Sequence, residues 1–191
     1  MRITSISLAI LAGGVWHGLP GWRVRTADSE DEAEHNGEVL EAEEIVEQCS
    51  GFPGALVDIC GGEPMAYGAL ASVCRELHAA NHRVRVHTNG SISLARLPDG
   101  VIRRVIWTKP RSNLESSALP SEQVLTELTE DDEMVFRIDS RSSFQYALER
   151  IRSHRLTRHA KVEMIAVDEL PRPQLGNWIL ETGLPIRLGD D

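Results

Sequence analysis

Apolar residues recur along this chain with two periods. Ile3, Ile6, Leu8 and Ile10 fall near strand spacing and predict a buried first strand. A glycine-rich stretch follows at residues 13–22 (GGVWHGLPGW). Val39, Leu40, Ile45 and Val46 predict a helix over about 40–48. Residues 55–59 (ALVDI) are a short apolar run that stops at Cys60-Gly61-Gly62, which predicts a buried strand. Residues 67–80 have helical period, with Leu70, Val73, Cys74 and Leu77 on one face. Strands are predicted at 83–87, 101–107, 133–138, 161–167 and 184–188. Between them, Ser121 caps a helix that runs through Leu128, and further helices are predicted at 142–154 and 174–181. Strands alternating with helices at this spacing imply βα units around a parallel sheet, hence an α/β fold.

Length and charge narrow the picture. At 191 residues the chain is expected to be a single domain, 1–191, and 41% hydrophobic content is ordinary for a globular protein. Net charge is −9, and residues 28–47 hold ten acids and no Lys or Arg. The other 171 residues carry 20 bases and 19 acids, so the charge is concentrated in one place. An acidic mobile loop is expected at about 26–38, either as a solvated face or as a docking surface for a basic partner. An acidic chain is not expected to bind nucleic acid or an anionic membrane. No run of about 20 apolar residues exists to span a bilayer. Residues 5–15 could pass for the apolar part of a signal peptide. One basic residue before them and no small-x-small cleavage site favour the strand and a cytoplasmic location.

Chemistry-bearing patterns are few. There is no G-x-S-x-G turn, no P-loop, and no H-x-x-x-H spacing on a helix. The cysteines, Cys49, Cys60 and Cys74, lie too far apart in sequence for a C-x2-C pair and read as small core hydrophobes. The informative segment is Cys60-Gly61-Gly62-Glu63-Pro64, a turn after a predicted strand. Its glycines allow close backbone approach, Glu63 adds a carboxylate, and Pro64 starts a helical turn. His87-Thr88-Asn89-Gly90 follows the next strand, one βα unit later.

A strand, GGEP, a helix, a strand and then TNG resembles the radical S-adenosylmethionine superfamily, and more narrowly the 7-carboxy-7-deazaguanine synthase family of the queuosine pathway. Trp107-Thr108-Lys109-Pro110 is similar to that family's Ser-Pro-Lys segment, and residues 177–188 (NWILETGLPIRL) to its last helix and strand. The resemblance implies a partial or open (β/α) barrel of about six parallel strands. It implies that Gly61, Gly62, Glu63 and Pro64 meet the amino group of S-adenosylmethionine, with Thr88 and Asn89 near its nucleoside part. It also implies a [4Fe–4S] cluster on a C-x3-C-x2-C loop after the first strand. Set against residues 13–22, the family's three cysteines fall on Gly14, Gly18 and Gly21, and glycine cannot ligate iron. The expectation is therefore no [4Fe–4S] cluster, no metal, no catalytic residue and at most weak S-adenosylmethionine binding. The protein reads as a ligand-binding or regulatory pseudoenzyme. The alternatives are a genuine deazaguanine-pathway lyase that binds S-adenosylmethionine, and a structural subunit of a complex. Expected partners are a small nucleoside- or pterin-like ligand, and a second copy of the chain or an intact synthase. Trp16 or Trp22 is expected to fold over the strand ends and fill the cofactor space, with Trp107 reaching toward it.

Overall fold

The computed structural model describes residues 1–27, 37–52, 55–108 and 120–190. These group into two compact units. The acidic stretch 28–36 and the Lys109-Pro110 pair lie outside the described residues.

The first unit comprises Met1–Leu11, Trp16–Thr88 and Leu94–Arg103. Its strands are β1 (Arg2–Ile10), β2 (Pro20–Thr26), β3 (Glu38–Val39), β4 (Leu56–Gly61) and β5 (Arg83–Thr88). They lie side by side in the order β3-β1-β2-β4-β5. β1 is antiparallel to both its neighbours, whereas β2, β4 and β5 are mutually parallel. The helices are α1 (Ala42–Cys49) and α2 (Leu70–Ala79). Strand alternation sorts the side chains. Val57, Ile59, Val84 and Val86 are fully buried on one face, as are Ile45, Cys49, Cys74 and Leu77 of the helices. Residues between them in sequence point to the other face, where the charged groups gather.

Two departures from the sequence reading matter. β2 begins within the stretch read as glycine-rich and runs past it, with Trp22, Val24 and Thr26 alternating with Arg23 and Arg25. β1 is not buried along its length: Ile3 is buried, but Leu8 is 54% and Ile10 65% exposed.

The second unit comprises Ala12–Val15, Asn89–Ser93 and Arg104–Asp191. It holds most of β6 (Ile102–Thr108), then β7 (Glu133–Ile138), β8 (Lys161–Ala166) and β9 (Arg187–Leu188), all parallel and in that order. Its helices are α3 (Glu122–Glu127), α4 (Arg141–Ser153) and α5 (Arg172–Thr182). Ser121 caps α3 by accepting the Val124 N–H, and Ser140 caps α4 by accepting that of Ser143. The expected α/β class with a mostly parallel sheet holds, and neither set of strands closes on itself. No described helix is long and apolar enough to cross a membrane.

Candidate functional site

β4 delivers the 60–64 turn to the carboxyl ends of the parallel strands of the first unit, where α/β proteins place ligands. Gly61 sits opposite Thr26, the last residue of β2. It has φ of +120°, and a Cβ there would strike the Thr26 backbone, so only glycine fits. Thr26 Oγ1 donates to the Cys60 carbonyl at 3.3 Å, which ties the two strand ends together. Glu63 Oε1 accepts the Met65 N–H at 3.0 Å and caps the short 3-10 turn Pro64–Ala66. Gly62 is half-buried, Pro64 is buried, and Thr88 is buried at the end of β5, the neighbouring strand. Asn89 belongs to the second unit, where its side chain accepts the Ser91 N–H.

Beneath this turn the register brings together residues that the sequence reading did not single out. Arg23 lies opposite Asp58, Asp58 opposite Arg85, and Arg25 opposite Cys60. In-register residues of neighbouring strands share a face. Arg85 Nε donates to Asp58 Oδ1 at 2.7 Å, and His87 Nε2 lies 2.9 Å from the same oxygen. Burial pushes the Asp58 carboxyl up. The charge and hydrogen bond of His87, then those of Arg85, outweigh it and hold the carboxyl well below the usual carboxylate range. Arg85 and His87 thus hold one aspartate, on the face that Arg23 and Arg25 of β2 share. The signal was present in the sequence: R-x-R alternation in both WRVRT and RVRVH, and an acid inside the apolar run LVDIC.

The amino-end side of this face is closed. Trp16 is buried with Leu11, Ile102 and Leu56, and the Arg85 guanidinium lies 5.0 Å from its ring centroid. Leu56 and Arg83 begin β4 and β5, so Trp16 fills the amino end and not the carboxyl end, which corrects the expectation for this residue. Trp22 alternates with Arg23 and faces the opposite side of the sheet. Trp107, in the second unit, is stacked on Tyr146 of α4 at 5.0 Å and tilted against Phe136.

The placement of the cluster positions is also corrected. Gly21 pairs with Leu56, the first residue of β4. Gly18 lies just before β2, with its N–H donating to Leu11. Gly14 sits against Glu133, the first residue of β7. Gly18 and Gly21 lie at the amino ends of the parallel strands of the first unit, opposite to the 60–64 turn, and Gly14 lies at the amino end of β7 in the second unit. The reason is the missed strand: β1 runs antiparallel to β2, so the 11–19 connection sits at the end where β2 begins. The chain that leaves the carboxyl end of β2 is residues 27–37 (ADSEDEAEHNG), which contains no cysteine.

The cysteines present do not fit a three-thiolate cluster. Cys49 and Cys74 are fully buried on α1 and α2, and burial pushes both thiols up to about 12, leaving them protonated. Cys60 alone is partly exposed, so the core reading fails for this residue. Among the described residues, no group of three His, Cys, Asp or Glu is arranged to hold a metal ion. One thiol of the three, Cys60, is expected to react with an aromatic disulfide reagent in the native protein, and all three after unfolding. Fast reaction of two or more native thiols would contradict this placement.

The chain is 30% identical over 213 aligned positions to the 7-carboxy-7-deazaguanine synthase of Koribacter versatilis (strain Ellin345), covering 99% of this chain and 93% of that protein. The fold is similar to that of QueE from Escherichia coli, with a TM-score of 0.73 and 14% identity over all of this chain and 93% of that one. Streptococcus suis SuiB, solved bound to S-adenosylmethionine, matches with a TM-score of 0.57 and 8% identity over 83% of this chain and 45% of its own. No protein-family model matches the chain.

Proposed function

Because this chain belongs to the 7-carboxy-7-deazaguanine synthase family, we propose that it binds a flat, carboxylate-bearing heterocycle of the deazaguanine type without performing radical chemistry. The binding half of the reading rests on the cationic face that Arg23, Arg25, Arg85 and His87 share with Asp58. A planar guanidinium recognises a carboxylate through two parallel hydrogen bonds, and Arg25 is exposed to offer one. The 61–64 turn and Thr88 border the same strand ends. The non-radical half rests on the cysteines, two of which are buried helix residues with protonated thiols. A cluster would supply the electron that cleaves S-adenosylmethionine, and these cysteines cannot jointly hold one.

A second reading, a working lyase, is favoured by the full-length match to the Koribacter synthase. One experiment separates them. The protein is incubated anaerobically with iron and sulfide, then titrated by calorimetry with 7-carboxy-7-deazaguanine and S-adenosylmethionine. The expected result is no stable cluster and S-adenosylmethionine binding at roughly millimolar Kd or weaker. The heterocycle should bind, and Arg25→Met should weaken it about tenfold or more, equivalent to about 1.4 kcal/mol. About four irons per chain with release of 5′-deoxyadenosine would establish the lyase instead. No heterocycle binding would remove the ligand reading.

A further inference from the structure

The register of β4 and β5 brings a nucleophile to the Asp58–His87 pair. Asp58 lies opposite Arg85 and Ile59 opposite Val86, so the next residue of each strand, Cys60 and His87, stand side by side. Alternation puts Cys60 on the same face as Asp58. Cys60 and His87 leave their strands about 5 Å apart, the spacing of neighbouring strands in a sheet. Cys60 is half-buried, whereas Cys49 and Cys74 are buried, and the His87 side chain is 20% exposed. Asp58 holds His87 Nε2 at 2.9 Å and shares its carboxylate with Arg85. Asp58 is ionised, and an ionised carboxylate only accepts hydrogen bonds. Nε2 therefore carries the proton, and in the neutral ring Nδ1 is the base. Among the described residues these three groups are not arranged to hold a metal ion.

A nucleophile, a base beside it and a buried carboxylate that orients the base are the parts of an acyl-transfer triad. Burial and the Asp58 charge push the Cys60 thiol up, against the pull of Arg25, Arg23 and Arg85. Cys60 thus rests as a thiol and needs a base to attack, which is where His87 stands. Gly61 and Gly62 follow it without side chains and leave room for an acyl group. Arg25, exposed and opposite Cys60 on β2, offers a partner to a carboxylate on that group. We propose that Cys60, His87 and Asp58 form an acyl-transfer site for an ester or thioester of a dicarboxylic acid. His87 Nδ1 takes the Cys60 Sγ–H proton as Sγ bonds the carbonyl carbon. The bond from that carbon to the leaving oxygen or sulfur then breaks, and the leaving group takes the proton from His87. Water, activated by the same nitrogen, hydrolyses the Cys60 thioester to the free acid and the thiol. No electron is exchanged, so the site needs no cluster. Asp58 positions His87 and does not touch the acyl group. The dicarboxylic preference rests on the reading of Arg25 as a carboxylate-binding residue; the acyl transfer itself does not.

Stopped-flow release of nitrophenolate from p-nitrophenyl acetate and from the p-nitrophenyl monoester of succinic acid tests both parts. The expected result is a burst stoichiometric with the chain, the acyl group on the Cys60 peptide by mass spectrometry, and its release by hydroxylamine. His87→Ala should slow the burst about 100-fold or more, the usual contribution of a general base. Added imidazole should restore part of the rate, which it would not do for a merely structural histidine. Asp58→Asn, measured where circular dichroism shows it folded, should slow the burst when His87 is present. It should have no further effect in the His87→Ala variant, because it acts through that ring. The succinate monoester should react about tenfold faster than the acetate, and no faster in Arg25→Met. Absence of a burst, a burst that survives Cys60→Ser, acylation of another residue, or a His87→Ala burst as fast as wild type would overturn the acyl-transfer site. Equal wild-type rates for the two esters would remove the dicarboxylic preference and the reading of Arg25, with the Cys60 chemistry intact.

Discussion

Asp58→Ala is expected to destabilise the protein by about 3–5 kcal/mol, because it removes one partner of a buried ion pair and leaves the Arg85 charge in the interior without that carboxylate. Neither side chain reaches water: the pair is 0% and 1% exposed. The Trp16 ring lies 5.0 Å from the guanidinium, and a ring face replaces only part of a carboxylate. For a chain of this length the loss corresponds to a fall in Tm of roughly 6–20 °C. Asp58→Leu with Arg85→Met removes both charges together and should recover most of it, since a buried ion pair gains little over apolar residues of similar volume. A single substitution costing under about 1 kcal/mol, or a double variant no more stable than the single, would refute this account. The pH dependence follows in sign. Asp58 binds its proton less tightly folded than unfolded. Its contribution is therefore complete above the unfolded carboxyl range and is lost as pH falls below about 4. Urea unfolding between pH 3 and pH 7 should show that loss in the wild type and much less of it in the double variant.

The elements legible in the sequence were those with one unambiguous period. The 55–59 run became β4, residues 133–138 became β7 without change, and Ser121 caps α3 as its position implied. The illegible element was β2. Its alternation of Trp22, Val24 and Thr26 against Arg23 and Arg25 is regular, but Pro20 and Gly21 open it and disguise a strand as a loop. The consequence was larger than one strand. A missed antiparallel hairpin reverses which end of the sheet a connection occupies, and with it the end at which Trp16, Gly18 and Gly21 lie. The site suffered differently. The 61–64 turn was visible because glycine and proline punctuate it. Asp58, Arg85 and His87 were hidden because an acid within LVDIC and arginines within RVRVH look like ordinary strand alternation until register pairs them. The same holds for Arg104, which bonds Glu133 and Glu163 in the second unit: three buried charges that only the fold brings into contact.

Installing cysteines at Gly14, Gly18 and Gly21 should unfold the protein and should not create an iron site. Gly14 has φ of +64°, which costs a side-chain-bearing residue about 1–2 kcal/mol. A Cβ there would run into both carboxylate oxygens of Glu133. That carboxylate cannot swing aside freely. Arg104 Nη1 donates to one oxygen, and the Val15 N–H donates to the other at 2.6 Å. The loop is held further by Arg187, whose guanidinium donates to the Gly14 carbonyl at 3.0 Å. Displacing Glu133 breaks a buried charge pair, so Gly14→Ala should cost about 3–5 kcal/mol. Gly21 has ordinary backbone, yet a Cβ would lie 2.7 Å from the Leu56 carbonyl of the paired strand. Gly18 is the internal control. Its φ is +81°, but nothing lies within 4 Å of its Cβ, so Gly18→Ala should lose only the backbone cost of about 1–2 kcal/mol. The order Gly14 far above Gly18, measured by urea unfolding, is the expected result. Equal losses at the two positions would show that the Glu133 contact does not decide the cost. A folded triple-cysteine variant that takes up about four irons would return these glycines to the carboxyl ends of the strands.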